Sequence, residues 1–206
     1  MYRVNEIFFT LQGEGAHSGI PAVFVRFSGC NLRCPWCDTD FTDSTPMTAE
    51  QIVSTMLDLY DTPNERRKMC VLTGGEPSLQ VDKPLIDALH KAGFYICIET
   101  NGTHPLPEGI DWITCSPKEG TKLALKRVNE VKVVFTGTYD PEIWRTQLEA
   151  EHWMLQPLRY TGEWLIENVD SWEDDRNDNL DDTVRYILAH PFWRLSVQLH
   201  KIAGLR

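Results

Sequence analysis

The chain has 206 residues, 42% of them hydrophobic, which is enough for one domain with a substantial core and too apolar for a disordered chain. Its 20 basic and 30 acidic residues give a formal net charge of −10. That balance argues against a surface built to neutralise phosphates, and so against nucleic acid as a direct ligand. The N-terminal MYRVNEIFFTLQGEG lacks a basic region followed by a long apolar run, and no stretch nears the roughly 18 consecutive apolar residues of a spanning helix. A soluble, cytoplasmic protein with no membrane association is the expectation.

Ala22–Phe27 (AVFVRF) reads as the first strand. After a polar loop, Thr48–Tyr60 places Ile52, Val53, Met56, Leu57 and Tyr60 on one helical face, with Thr48 and Gln51 as a capping box. Met69–Leu72 is the next strand. A helix follows, with Pro84 in its first turn, Leu85, Ile86 and Leu89 on its apolar face, and Gly93 as its stop. Phe94–Ile98, Trp112–Thr114, Val131–Phe135, Trp153–Leu155 and Leu195–Val197 supply further short strands, with helices near Pro141–Ala150 and Leu180–Ala189. This βα alternation predicts an α/β fold with a mostly parallel sheet. The chain is short for an eight-unit barrel of about 250 residues. An abbreviated, partly open parallel (β/α) barrel, a single domain over 1–206, fits better.

The acidic run Glu167–Asp182 lacks the turn glycine and the terminal glutamate of a calcium loop. It reads as a solvated connection or insertion around 160–180.

Six cysteines without an export signal do not predict disulfides. Cys70, Cys97 and Cys115 sit in apolar runs (MCVLT, FYICIET, DWITCS) and read as small buried hydrophobes. Cys30, Cys34 and Cys37 form C-x3-C-x2-C, which is different. An electron-transfer cubane is normally held by four cysteines, and structural zinc by four protein ligands. Three thiolates with no close fourth suggest an exchangeable position on a [4Fe-4S] cluster, one that S-adenosylmethionine (SAM) can fill. A zinc knuckle completed by His17 or Cys70 is the competing reading. Thr73-Gly-Gly-Glu-Pro77, one βα unit later, favours SAM: its glycines leave backbone groups open to a ligand, and Glu76 offers an acceptor for an ammonium. This pair of motifs resembles the radical SAM enzymes. Gly29-Cys30, Thr73–Glu76, Glu99–Gly102, Ser116–Lys118 and Gln156-Pro157 each follow a predicted strand. They should therefore collect at the C-terminal edge of the sheet, where α/β folds place ligands.

A closer resemblance spans nearly the whole chain. Thr10-Leu-Gln-Gly-Glu-Gly15, Pro21–Arg26, the cysteine motif running into Asp38-Thr39, then Thr73–Pro77, Glu99–Thr103, Ser116–Lys118, Gln156-Pro157 and His200-Lys201 look like the 7-carboxy-7-deazaguanine synthase family. The resemblance implies a radical SAM carbon–nitrogen lyase of queuosine biosynthesis. Such an enzyme converts 6-carboxy-5,6,7,8-tetrahydropterin to 7-carboxy-7-deazaguanine with release of ammonia. It further implies a [4Fe-4S] cluster, recycled SAM and Mg2+, a homodimer on an abbreviated barrel, and an electron donor such as flavodoxin.

By matched position, Leu11, Gln12 and Gly13 would line the pterin pocket, Arg26 would pair the substrate carboxylate with its planar fork, and Thr73 would hydrogen-bond substrate. Arg206 would close the pocket through its terminal carboxylate. Thr39 would ligate Mg2+, which prefers hard oxygen donors. SAM would lie against Trp36, Cys37, Asp38, Gly75, Glu76, Ser116, Pro117, Lys118, Gln156, Pro157 and Leu158. No acid or base for the deamination maps onto the sequence. A glycyl-radical enzyme activase, and a non-catalytic zinc or iron–sulfur module, are the rival readings.

Overall fold

The computed structural model describes residues 1–60, 68–158 and 178–205. The acidic connection at 160–177 and Arg206 lie outside the described residues.

The strands are β1 (Tyr2–Leu11), β2 (Pro21–Phe27), β3 (Thr45–Met47), β4 (Lys68–Gly74), β5 (Phe94–Thr100), β6 (Trp112–Cys115), β7 (Glu130–Phe135), β8 (His152–Pro157) and β9 (Arg194–Leu195). They form one nine-stranded sheet in the order β3-β1-β2-β4-β5-β6-β7-β8-β9. From β2 onward every pairing is parallel, while β1 pairs antiparallel with both β2 and β3. Because β3 and β9 are opposite edges, the sheet is a partial barrel and not a closed one.

The helices are α1 (Ala49–Leu59), α2 (Lys83–Lys91), α3 (Asp178–Ala189) and α4 (Leu199–Ala203). The capping box forms at α1, where the Gln51 N–H donates to the Thr48 hydroxyl at 3.3 Å and the Thr48 N–H donates to Gln51 Oε1 at 2.8 Å. Asp82 caps α2, and the chain turns out of that helix at Gly93, φ +85°. Pro141–Ala150, expected as an α-helix, makes only a 3-10 segment at Pro141–Thr146. Here Trp144 is buried in the same core cluster as Trp153 and Trp193, and the segment ends at Gln147.

Strand alternation divides the sheet into two faces. Val23, Val25, Phe27, Cys70, Leu72, Ile96 and Ile98 pack under α1 and α2. Cys115, Val131, Val133, Phe135, Trp153 and Leu155 continue this layer toward α3. The opposite, inner face changes character along the strands. Its floor is apolar, with Ala22, Met69, Val71 and Cys97 packed with Phe24, Tyr95 and Trp112. Toward the C-terminal edge the same face carries Arg26, Thr73, Glu99, Lys132 and Gln156. Cys70, Cys97 and Cys115 are all buried, as their apolar surroundings predict.

β1 reaches the inner face through a bulge. Val4 pairs with Phe27 but Glu6 pairs with Arg26, so Asn5 is an extra residue. Before the bulge Tyr2 and Val4 face the helices. After it Phe8 turns inward and stacks on Phe24, with ring centroids 5.2 Å apart.

Candidate active site

Two adjoining cavities open at the C-terminal edge of the sheet. The first, about 380 Å3, is lined by Leu11, Gln12 and Gly13 after β1, by Phe8, Phe24, Arg26, Thr39 and Thr73, and by Gln198, His200 and Lys201. The second, about 360 Å3, is lined by Cys30, Cys34, Cys37, Trp36, Gly75, Glu76, Ser116, Lys118 and Gln156. Glu14, Asp38, Thr39, Thr73, Glu99, Lys132 and Gln198 belong to both walls. Pro117 and Leu158 line a neighbouring hollow of about 450 Å3 that also touches Cys34, Trp36 and Lys118. Pro157 ends β8 and lines none of the three.

The cysteine loop is held to the glycine turn by backbone. Gly75 N–H donates to the Phe27 carbonyl at 3.0 Å and Glu76 N–H to the Gly29 carbonyl at 2.9 Å. A Cβ on Gly75 would collide with the Gly29 carbonyl and stand 3.0 Å from Cys30 Cβ. Glycine is therefore required by this close approach. Asn31, inside the cysteine motif, is tied to Asn101 at 3.0 Å and Thr103 at 2.9 Å.

Glu76 itself is almost fully buried, 1% exposed. Its carboxylate accepts from the Thr100 hydroxyl (2.7 Å), the Asn101 N–H (2.7 Å) and the Ser78 N–H (3.0 Å). A carboxylate has about four acceptor sites, so most of its capacity goes to joining the loops after β4 and β5.

The donor set suits an iron–sulfur cluster. Cys30 and Cys34 are half-buried and Cys37 is exposed around the second cavity, and the Leu32 N–H donates to Cys30 Sγ at 3.4 Å. Burial pushes the Cys30 and Cys34 thiols up, with Lys118 opposing this at Cys34, so iron binding would be what deprotonates them. The candidates for a fourth zinc ligand lie elsewhere. His17 packs on Trp112 with centroids 4.3 Å apart, and Cys70 is in the core under the helices. Lys118 donates to Ser116 O and Oγ, both at 2.7 Å, and lies 5.3 Å from the Trp36 ring centre.

On the first cavity, Arg26 gives its Nε to Glu6 at 2.8 Å, which leaves the end of its fork for a carboxylate. Between the cavities, Lys132 donates to Glu14 at 2.6 Å and Glu99 at 2.8 Å. Gln198 and Gln156 donate to the other Glu14 oxygen at 2.9 and 3.3 Å, and Gln12 to Glu99 at 3.2 Å. Burial raises the Glu14 carboxyl, but the Lys132 charge and the bonds from Lys132 and Gln198 bring it down to about 2. Burial also raises Glu99, and there Lys132 does not win, because Glu14 and Glu130 add like charge.

Leu11, Gln12, Gly13, Arg26 and Thr73, expected together, do share one cavity, and the thiols share the other with Trp36, Asp38, Gly75, Glu76, Ser116, Lys118 and Gln156. Glu14, Glu99, Lys132, Gln198 and His200 join them without having been assigned a role from sequence.

Three thiols over a glycine turn, at the C-terminal edge of an open parallel sheet, define a radical SAM enzyme. Residues 24–144 match the family model of the Radical SAM superfamily, to which the chain belongs. Over 206 residues, all of both chains, it is 48% identical to the 7-carboxy-7-deazaguanine synthase of Bacteroides thetaiotaomicron. The enzyme of that name from Bradyrhizobium diazoefficiens is 44% identical over 222 residues, covering 100% of this chain and 99% of that one. The chain is a member of the 7-carboxy-7-deazaguanine synthase family. The crystal structure of QueE from Escherichia coli is similar in fold, with TM-score 0.75 and 29% identity over 97% of this chain and 94% of that chain.

Proposed function

We propose that this chain, as a single domain, converts 6-carboxy-5,6,7,8-tetrahydropterin to 7-carboxy-7-deazaguanine with release of ammonia. The observation that carries this reading is the pair of adjoining cavities. One holds three thiols and the glycine turn, the other holds the open fork of Arg26, and Glu14, Glu99 and Lys132 stand between them.

Cys30, Cys34 and Cys37 would hold the cluster, with SAM against Trp36, Asp38, Gly75, Ser116 and Lys118. Held by these residues, the cluster and SAM would together supply one-electron, hydrogen-abstracting chemistry. The chain's own work is placement. Arg26 pairs the substrate carboxylate, Thr73 hydrogen-bonds the ring, and Leu11, Gln12 and Gly13 shape the wall. The apolar floor under Phe24 keeps water from the buried end. Thr39 lines both cavities and offers a hydroxyl to Mg2+, which would orient the substrate between them. Glu76 lines the SAM cavity with one acceptor site beyond its three loop contacts. A cytoplasmic homodimer that takes electrons from a flavodoxin-type donor and leaves nucleic acid and membranes alone completes the reading.

Anaerobic reconstitution with iron and sulfide, followed by SAM, reductant, Mg2+ and the carboxytetrahydropterin, tests it. A deazapurine of the product's mass and ultraviolet absorption is expected. No product from protein whose reduced cluster responds spectroscopically to SAM would overturn the reading.

A further inference from the structure

β7 contains a residue that its own strand gives no reason for. Lys132 lies between Val131 and Val133 and is 5% exposed. A buried ammonium costs more than an apolar residue in the same place unless it is paired, and even then the pair is weak grounds for stability. Lys132 is paired twice, to carboxylates from two different elements: Glu14 from the turn after β1, and Glu99 near the end of β5. All three line both cavities. An ammonium has three N–H donors, and two are accounted for by these bonds.

The charges around the trio do not balance on their own. Two carboxylates meet one ammonium, Glu130 adds like charge at Glu99, His200 favours the Glu14 carboxylate, and Lys118 and Lys132 repel each other. Glu130 is engaged separately, accepting from the Ala16 N–H at 2.7 Å. Remove Lys132, and neither Glu14 nor Glu99 keeps a hydrogen-bonded cation to fix its direction. Gln198, Gln156 and Gln12 would remain as neutral donors only.

Resting on the function proposed above, we infer that Lys132 is a positioning residue of the pterin site, its ammonium fixing the Glu14 and Glu99 carboxylates toward the junction of the two cavities. Depression of the Glu14 carboxyl by this ammonium agrees with that geometry. Lys132 acts through the carboxylates and is not assigned contact with the reacting atoms.

The test is Lys132→Met in the cluster-loaded protein, with three readouts. The KM for carboxytetrahydropterin should rise by ~10-fold or more while kcat changes less than ~3-fold, as uniform binding lost without a lost chemical step. The SAM-induced change in the reduced-cluster electron spin resonance should stay as in the unaltered protein. The third readout is infrared spectroscopy without pterin, which should show more protonated carboxyl at neutral pH in Lys132→Met than in the unaltered protein, because both buried carboxylates lose their ammonium.

An unchanged KM, or loss of the SAM response in step with activity, overturns the inference; the latter would mean that Lys132 serves the thiol cavity or the fold and not the pterin site. Should Lys132→Met not fold, the double variant Lys132→Met/Glu14→Gln, which removes one carboxylate with the ammonium, still gives the kinetic comparison. A KM like that of the unaltered protein there also overturns the inference. If the unaltered protein responds to SAM yet makes no deazapurine, the pterin reading fails, and the infrared result alone decides whether Lys132 governs the charge of the Glu14–Glu99 pair.

Discussion

The Lys201 ammonium lies 2.5 Å from the Asp38 carboxylate, directly after Cys37, although 163 positions separate them. Leu199 N–H also donates to the Gly13 carbonyl at 2.9 Å, so α4 clips both the turn after β1 and the cysteine loop. Burial raises the Asp38 carboxyl, but Lys201 holds it below its usual range.

Lys201→Ala should therefore loosen both walls at once. A half-exposed pair is worth about 1 kcal/mol, so KM for SAM and for pterin should each rise by about 5-fold. Initial-rate kinetics with each varied in turn will show whether both rise or neither does.

Arg26→Lys keeps the charge and loses the fork. KM for the carboxylated pterin should increase by about 10- to 100-fold, with the cluster's spectral response to SAM unaltered. Equal weakening of both would place Arg26 in the fold and not at the substrate.

Gly75→Ala drives a methyl into the Gly29 carbonyl beneath Cys30. Iron and sulfide per chain should fall well below the unaltered protein, with a stability loss of about 2 kcal/mol or more. Gly19→Ala meets nothing within 4 Å and strains only a φ of +86°. It should cost about 1 kcal/mol and leave cluster content intact.

Glu76→Gln replaces an acceptor of three bonds with an amide whose NH2 must face a donor. A loss of about 1–3 kcal/mol is expected in denaturant unfolding, because one of Thr100, Asn101 or Ser78 is left unsatisfied.

Glu14 makes the pH dependence signed. Its carboxyl is depressed to about 2 in the folded chain, so its stabilisation is full above its unfolded pKa near 4.5 and is lost as pH falls toward 2. The contribution is on the order of 2–3 kcal/mol. The stability gap between the unaltered chain and Glu14→Gln, measured on metal-free protein, should shrink steadily from pH 5 to pH 2.5. A gap that stays constant would mean that Glu14 is not the group titrating.

The motifs legible in the sequence were those carried by contiguous residues. C-x3-C-x2-C and TGGEP announce themselves, and both end up on the second cavity because strands β2 and β4 are parallel neighbours. The bulge at Asn5 breaks the alternation that marks a strand, which hides β1 in the sequence. β3, with three residues, and α4, with five, are too short to show a period. The Glu14–Lys132–Glu99 trio was invisible for another reason: Lys132 is 118 positions from Glu14 and 33 from Glu99, and only sheet register joins them. The available signal was the charge itself, a lysine set in Val131–Val134 where every other residue is apolar.

The bulge at Asn5 also sets a frame. Everything in β1 beyond it owes its inward or outward direction to that one additional residue. Deleting it would turn Phe8 out of the first cavity and bring Phe9, now against Tyr60, into it. Evolution could lengthen or shorten the polar turns around this chamber one residue at a time. In the first strand, only changes that preserve parity would leave the chamber with its present lining.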